Sequence, residues 1–567
     1  MSQSCPPISK LSLRQRQILE MIRQGKSNHE IAFELGIGVG TVKQHVVALF
    51  RKLKVTSRTM AASREPQNAV FGCDNTLGSS RDVILERRPC IVLSMVLEAP
   101  EPEALRRLHG TMIRVAQDAG DIVLSWRGAG CDIIFGIEQA EESDPVRALR
   151  SAQAIARTHA DQGRPGGHLK GALAAGLAVA SMFRRGGWSG EAIASSSIVL
   201  ARHRTAESEP GRLFLDQTFT DLLRVCDATV TLPPPCLLSL EEAAPLHWHP
   251  PTENEPIASR KDECGTLLGS LRKVSQEKPI ISLWGEAGVG KSWLCVKLAA
   301  MLKEQEQTVT QIQCLPPHAP ALFFRVDDQT LLDGFALILD GSRNVPLADT
   351  AAKQKPKPKR QSSLDGPVLI LDNTHWLNRK TFQGLVSHAL QHGYRILSVS
   401  RCPEESDAAA MYHVQPIKDS LIAKYVDTCL KPLAQSPALA RKAAQTVTTM
   451  AGGNPFFTQE LVRDQRLRSS HVGDEQLRLL PLPIVLRITA HFDALHLDKR
   501  LLRFVSQSPQ GMTVKDLALV MGEEESDIRE AVDAASASSI LNFTNSDRIV
   551  FNHPMHQRVT HHLGMDI

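Results

Sequence analysis

A chain of 567 residues with 42% hydrophobic and 22% charged residues has the balance of a folded protein and is too long for one core, roughly three to five domains at about 150 residues each. Its net charge of +4 is unevenly placed, because the first sixty residues hold ten Lys/Arg against three Glu, a net +7 that leaves −3 for the rest. No apolar run reaches the ~18 residues of a membrane span, the N-terminus lacks the apolar core of a signal peptide, and the eleven cysteines form no CxxC pair. These features argue against a membrane protein, a zinc site and a disulfide framework, and lead to the expectation of a cytoplasmic protein with reduced thiols and no membrane partner.

In the basic head, Leu11 to Met60, apolar residues recur at helical spacing with breaks at Gly25 and Gly36. Ile18, Leu19 and Ile22 line one predicted helix, Ile31, Ala32 and Leu35 a second, and Val42, Val46, Leu49, Phe50 and Leu53 a third. Ser27 and Glu30 have the spacing of a capping box for the second helix. Helix, Gly-containing turn and helix is an arrangement that lays a helix in the DNA major groove. The stretch including SNHEIA, GTVKQH and KLKVTSR resembles the LuxR-type helix-turn-helix. That resemblance implies that Thr41, Val42, Lys43 and His45 face the groove, with Arg51, Lys52 and Arg58 nearer the phosphates. A basic bundle that binds protein is the alternative.

From Cys90, strand-like runs (CIVLSMVL, DIVLSW, CDIIFGI) alternate with helical ones (EALRRLHGTMIRVAQDA, DPVRALRSAQAIARTHA), the pattern of an α/β domain. The order resembles class III adenylate/guanylate cyclase domains, notably in AGDIVLSWRGAGCDIIFG and GEAIASSSIVLARHRTAESEPGRLFLD. Two-metal chemistry needs two carboxylates to hold the cations. By the resemblance, the metal positions fall on Val96 and Ala129, and the transition-state Asn and Arg on Ala194 and Ile198. A cyclase-like domain without cyclase activity follows, in a sensory or docking role. Asp121, Asp132 and Glu191 remain nearby and are expected on solvated surface.

Residues Gly285 to Ser292 read GEAGVGKS between the apolar run PIISLW and the amphipathic run WLCVKLAAML. This is the spacing of a phosphate-binding loop. Gly285, Gly288, Val289 and Gly290 turn backbone N–H groups towards an anion, Lys291 reaches the β/γ phosphates, and Ser292 can ligate Mg²⁺. The surrounding chain resembles STAND-type ATPases, a branch of the AAA-like P-loop proteins, in Arg260 and Glu263 of a GR..E box, VLILDNTHWL, RILSVSR, AGGNPFFTQEL and FNHPMHQRV. The resemblance implies that Asp372 holds Mg²⁺ through water, Arg401 reads the γ-phosphate, and Gly453, Asn454 and Pro455 sit in a helical lid. His553 would contact the nucleotide directly or indirectly, or cap a helix in a winged-helix core. Asn373 stands where an acid usually follows the Asp. An amide cannot take a proton from water, so ATP hydrolysis is expected to be slow at most and no catalytic residue is assigned. The Lys/Pro run KQKPKPKR is expected in a solvated loop.

The expected architecture is therefore multidomain: an all-α helix-turn-helix head (1–65), a linker (66–86), an α/β cyclase-like domain (87–235), a linker (236–256), an α/β P-loop NTPase with helical lid (257–475) and a C-terminal winged helix (476–567). The expected function is a DNA-binding transcription regulator switched by ATP/ADP with Mg²⁺. Double-stranded DNA, a second copy of the chain on activation, and RNA polymerase or a signalling protein are the expected partners. The alternatives are an active nucleotide cyclase with a regulatory ATPase, and a nucleotide-driven protein scaffold.

Overall fold

The computed structural model describes residues 83–564 apart from interruptions, of which the longest are 249–256, 315–322, 325–365, 402–409 and 469–479. The chain divides into two compact units, Met1–Ser80 and Arg81–Ile567, and all described residues belong to the second. The head residues Thr41, Val42, Lys43, His45, Arg51, Lys52 and Arg58, the Lys/Pro run and Asp121 lie outside the described residues.

The first sheet is built on β1 (Val83–Leu97), followed by α1 (Pro102–Ala119), β2 (Val123–Arg127), β3 (Gly130–Phe135) and α2 (Asp144–Asp161). Next come β4 (Leu169–Phe183), β5 (Ala194–Ser195), α3 (Ser196–Glu207), β6 (Arg212–Leu215) and α4 (Gln217–Leu222). Three short strands end the region: β7 (Ala228–Val230), β8 (Leu237–Ser239) and β9 (Leu246–Trp248). The sheet order is β2-β3-β1-β4-β6-β8, with β5 on β4, while β7 and β9 pair apart from it. β1 and β4 pair antiparallel along their whole length, Val83 opposite Phe183 and Leu97 opposite Leu169. At the Val96–Gly130 pair a Cβ on Gly130 would lie 2.6 Å from the Met95 carbonyl, so β1 and β3 approach this closely only over a glycine.

The predicted linkers meet strands at their edges. β1 begins at Val83, inside 66–86, and β8 and β9 fall inside 236–256. Three-residue strands beside TLPPPC are too short to show a period of two, and the ERRP stretch of β1 breaks its apolar alternation.

The second sheet follows α5 (Lys261–Lys273) and contains β10 (Ile280–Trp284), α6 (Lys291–Glu304), β11 (Val309–Cys314), β12 (Phe323–Phe324), β13 (Val368–Asp372), α7 (Arg379–Gln391), β14 (Arg395–Ser400) and β15 (Ala410–His413). Its order is β12-β11-β13-β14-β10-β15, parallel except for β12. Burial on both faces suits near-continuous apolar strands such as VLILD, whose five residues are all buried.

Helices α8 (Asp419–Leu430), α9 (Pro437–Ala451), α10 (Pro455–Arg468), α11 (Leu482–Ala494), α12 (Lys499–Gln507), α13 (Val514–Met521) and α14 (Glu525–Ala537) follow, then the antiparallel ribbon β16 (Leu541–Phe543) and β17 (Ile549–Phe551), and α15 (Pro554–Leu563). One apolar core runs through them from Ile422 to Leu563. α13 starts on a full capping box, Thr513 with Asp516, and ends at Gly522 in the left-handed conformation.

Helix α11 also belongs to the first sheet's core, where Leu486 and Ala490 pack with Leu93, Met95 and Phe135. Arg88, on β1 and fully buried, donates to both carboxylate oxygens of Asp493 on α11 and to the Gly136 carbonyl at 3.1 Å. Lys499 of α12 binds the same carboxylate at 2.9 Å and Glu86 of β1 at 3.2 Å. Nearby, Arg184 pairs with Glu523 and Asp498, and Arg224 makes two bonds of 3.1 and 3.2 Å to Glu460 of α10. Removing one partner of a buried ion pair strands the other charge in the interior, at a cost of about 3–5 kcal/mol. Asp493→Ala should therefore lower the urea-unfolding stability by about that amount, and Arg88→Met in the same chain should restore part of it. A stability within about 1 kcal/mol of wild type, the usual worth of an exposed pair, would show that the pair contributes little.

Candidate nucleotide-binding site

β10 ends at Trp284 and α6 begins at Lys291, so the loop between them points its backbone at the start of a helix. Gly285, Gly288 and Gly290 all have positive φ, at 155°, 82° and 102°. At Gly288 no side chain could be accommodated, because a Cβ would lie 2.5 Å from Phe456 and 2.9 Å from Asn454 Oδ1. Arg260 braces the loop, donating to the Val289 carbonyl at 2.8 Å while held by Glu263 at 2.8 Å.

Lys291 Nζ donates to the Gly285 and Glu286 carbonyls, at 2.8 and 2.9 Å. Burial pushes its ammonium down to about 7, with Arg401 and Arg487 adding to the fall and Asp372 and Glu286 opposing it. Asp372, the last residue of β13, is also buried. Burial raises its carboxyl, against the Ser292 hydroxyl, the Lys291 charge and the Asn373 amide, which donates to Oδ1 at 2.9 Å. A carboxylate and a hydroxyl hydrogen-bonded to each other beside a buried lysine are hard oxygen donors, and they fit a Mg²⁺ ion arriving with phosphate. Asn373 has φ 60°, a left-handed conformation that asparagine tolerates better than most residues. His375, two residues on, has both ring nitrogens buried without a hydrogen-bond partner among the described residues.

The Gly453–Phe457 stretch, which leads into α10, packs against the loop. Asn454 Nδ2 donates to the Ala287 carbonyl at 3.0 Å, Phe456 N donates to the Gly288 carbonyl at 3.2 Å, and Asn454 Oδ1 accepts from Phe456 N at 3.1 Å. Gly453 approaches the Ile417 carbonyl so closely that a Cβ would lie 2.5 Å away.

His553 is the N-cap of α15: Nδ1 accepts from Met555 N at 3.0 Å and Nε2 faces the Ala451 carbonyl at 3.1 Å. Both ring nitrogens are thus engaged within the protein, which favours the helix-capping alternative over direct nucleotide contact. One turn on, His556 lies 3.2 Å from Glu286 of the phosphate loop. Burial works against the Glu286 charge, yet His556, His553 and Asn454 hold its carboxyl down at about 2. His556 was invisible to motif reasoning because Glu286 occupies a variable position of the loop pattern.

Arg401 follows β14 directly and its Nη2 binds Glu142, in the loop after β3, at 2.5 Å. Arg487 of α11 lies 3.8 Å over the Phe456 ring and donates to the Val225 carbonyl at 2.7 Å. Neither Glu142 nor Arg487 carries a sequence signal.

The positions matched to the cyclase motifs fall on the first sheet and α3. Val96 pairs with Gly130 across β1 and β3, Ala129 forms the β2–β3 turn, Ala194 is in β5, and Ile198 is buried in α3. Asp132 departs from the expectation of solvated surface. It is fully buried and paired with Arg202 Nε at 2.7 Å and Arg127 Nε at 3.2 Å, since a carboxylate on an inner strand needs partners. Glu191 accepts from Ser181. Among the described residues no three His, Cys, Asp or Glu side chains cluster as a metal site, seven cysteines are free, and no helix is long and apolar enough to cross a membrane.

Comparison with known proteins bears on two regions of the chain. Residues 9–64 match the bacterial regulatory proteins of the luxR family, and residues 274–397 match the AAA domain. The chain thus carries a LuxR-type helix-turn-helix domain and an AAA-type P-loop domain. The putative HTH-type transcriptional regulator YhjB of Escherichia coli is 51% identical over 55 residues, 10% of this chain and 28% of that protein. The chain spans about a quarter of the length of the curated relatives it matches. Among solved structures, the adenylyl cyclase CyaB from P. aeruginosa is similar at 16% identity, over 26% of this chain and 88% of that one, with a TM-score of 0.21. A signal transduction ATPase with numerous domains from Pyrococcus horikoshii, with a tetratricopeptide repeat sensor, is similar at 12% identity over 56% of this chain and 44% of that one, with a TM-score of 0.23.

A phosphate placed against Lys291 would raise its depressed ammonium again. Mg²⁺-ATP binding is therefore expected to take up protons above about pH 7, and to weaken as pH rises further, because the free protein must then regain the proton. Calorimetry in buffers of different ionisation enthalpy measures the uptake. Lys291→Ala should lose both binding and uptake, and proton release on binding would contradict the assignment.

Proposed function

We propose that this chain is a DNA-binding transcription regulator whose LuxR-type head (1–65) is controlled by an ATP/ADP switch. The switch comprises the P-loop NTPase and lid (257–475) and the winged helix (476–567), which α12–α14 and the β16–β17 ribbon would form. The cyclase-like domain (87–235) serves it as a non-catalytic sensory or docking module. The observation that carries this reading is the closure of the phosphate loop from outside its own sheet. Asn454 and Phe456 of the lid, His556 of α15 and Arg487 of α11 all meet it, so a bound nucleotide bears on every element that could open.

The site residues divide the work. Gly285, Gly288, Val289 and Gly290 present the backbone, Lys291 carries the compensating charge, and Ser292 and Asp372 would hold Mg²⁺, which supplies charge neutralisation at the phosphates. Asn373 offers no base to an attacking water, so ATP and ADP act as markers of state. His553 acts through the cap of α15, with its effect on nucleotide indirect. Two heads on adjacent half-sites bind DNA far better than one, which is the physical gain from self-association on activation. RNA polymerase or a signalling protein would read the assembled form.

Purified protein supplied with Mn²⁺ and ATP or GTP should form no cyclic nucleotide, since Val96, Ala129, Ala194 and Ile198 supply neither metal ligand nor transition-state donor. Robust product would replace this reading by an active cyclase. Steady-state ATP turnover should stay below about one per second, the low end of typical enzymes. DNA binding should weaken steeply with salt. Lys291→Ala should abolish transcriptional output, and wild-type output from that variant would refute the switch.

A further inference from the structure

Three cations face the helix end of the phosphate loop: Lys291, Arg401 and Arg487. Both arginines act on the Lys291 charge, and Arg487 Nη1 comes within 3.3 Å of where a Cβ on Gly288 would be. Two of the anions beside them belong to the nucleotide domain and are already engaged, Asp372 with Ser292 and the Asn373 amide, and Glu286 with His556. Glu142 does not belong to that domain. It comes from the loop between β3 and α2 of the first sheet, is 4% exposed, and lies between Arg401 at 2.5 Å and Arg487 Nε at 3.7 Å. The second contact is beyond hydrogen-bond reach, so Glu142 Oε1 and Arg487 Nε are both unsatisfied among the described residues. Arg487 is held meanwhile by the Val225 carbonyl of the same domain.

We infer that the Glu142 carboxylate of the first sheet domain, lying between Arg401 and Arg487, takes in this structure the place that a triphosphate's terminal phosphate would take, with Arg487 joining Arg401, already expected to read that phosphate. This rests on the nucleotide-switch reading of the phosphate loop. One carboxylate carries a single charge and satisfies one arginine well. A terminal phosphate carries about −1.5 to −2 and three strong acceptor oxygens, enough for both guanidinium groups, which favour such planar two-point contacts. Triphosphate binding and seating of the 137–143 loop are therefore mutually exclusive, whereas a diphosphate leaves Glu142 in place. The first sheet domain thereby senses which nucleotide is bound through one side chain, without catalytic residues of its own. A ligand shifts such an equilibrium only by its differential affinity for the two states, and Glu142 supplies that difference.

The test titrates the full-length protein with Mg²⁺-ATP and Mg²⁺-ADP, wild type beside Glu142→Gln, which keeps the size and removes the charge. ATP affinity should rise about tenfold in the variant, within the usual range of coupling energies, with ADP changed less than about twofold. Arg487→Gln should weaken ATP relative to ADP. Hydrogen exchange on the wild type needs no variant: amides of 137–143 and 223–226 should exchange faster with Mg²⁺-ATP than with Mg²⁺-ADP. Equal shifts for the two nucleotides in Glu142→Gln, or equal exchange with both, overturn the subsite while leaving nucleotide binding intact. If neither nucleotide binds wild type or variant, the phosphate-loop reading falls, and this inference with it.

Discussion

Arg88 sits in the middle of β1 with no exposed surface, and a guanidinium cannot shed its proton to escape the interior. Everything packed against that strand is arranged around this one charge. Burial works against it, but Asp493 and Glu86 more than compensate and hold its pKa above the ordinary arginine value. Lys499 then balances the two carboxylates. Because Asp493 lies on α11, which gives Leu486 and Ala490 to the first core and Ile484 and Val485 to the second, the network fixes a helix shared by two cores. The first sheet is thereby fastened to the C-terminal helices, and the loop after β3 is delivered to the nucleotide site. Ala140 N, in that loop, donates to Asp493 Oδ2 at 2.8 Å.

The phosphate loop is gripped by backbone-directed contacts. Asn454, Phe456 and Arg260 all bind loop carbonyls, and within the loop Val289 N donates to the Glu286 carbonyl at 3.3 Å. The glycines are required on steric as well as conformational grounds, since Gly288 has the Phe456 and Asn454 side chains against it. Burial holds the His375 imidazole well below the ordinary histidine range, and the Arg401, Lys291 and Arg487 charges push the same way.

Local chemistry was readable in the sequence, and long-range pairing was not. Apolar runs such as PIISLW and VLILD became β10 and β13, GEAGVGKS became a strand-to-helix turn, and Gly453 to Pro455 closed over it. Each of these is set by neighbours within a few residues. Arg88, Asp132, Glu142, Arg487 and His556 are ordinary polar residues in sequence. Their roles depend on partners as far as 405 residues away, as for Arg88 and Asp493. A charged residue within an apolar strand reads locally as a break, which is why β1 was expected to begin near Cys90 and begins at Val83. At His553 the motif left two roles open, and the ring takes the helix-capping one within its own helix.

The strand order of the second sheet has a consequence for how this protein can vary. β14 lies between β10 and β13, with Ser400 opposite Trp284 and Ser398 opposite Leu371. Arg401 therefore emerges level with Gly285, the first glycine of the phosphate loop. A one-residue slip in β14 would turn its side chains to the opposite faces, withdrawing Arg401 from Glu142 without touching any loop residue. The Arg401–Glu142 contact between the two sheets thus hangs on hydrogen-bond register deep in a parallel sheet. Insertions that surface loops would absorb are forbidden along that strand.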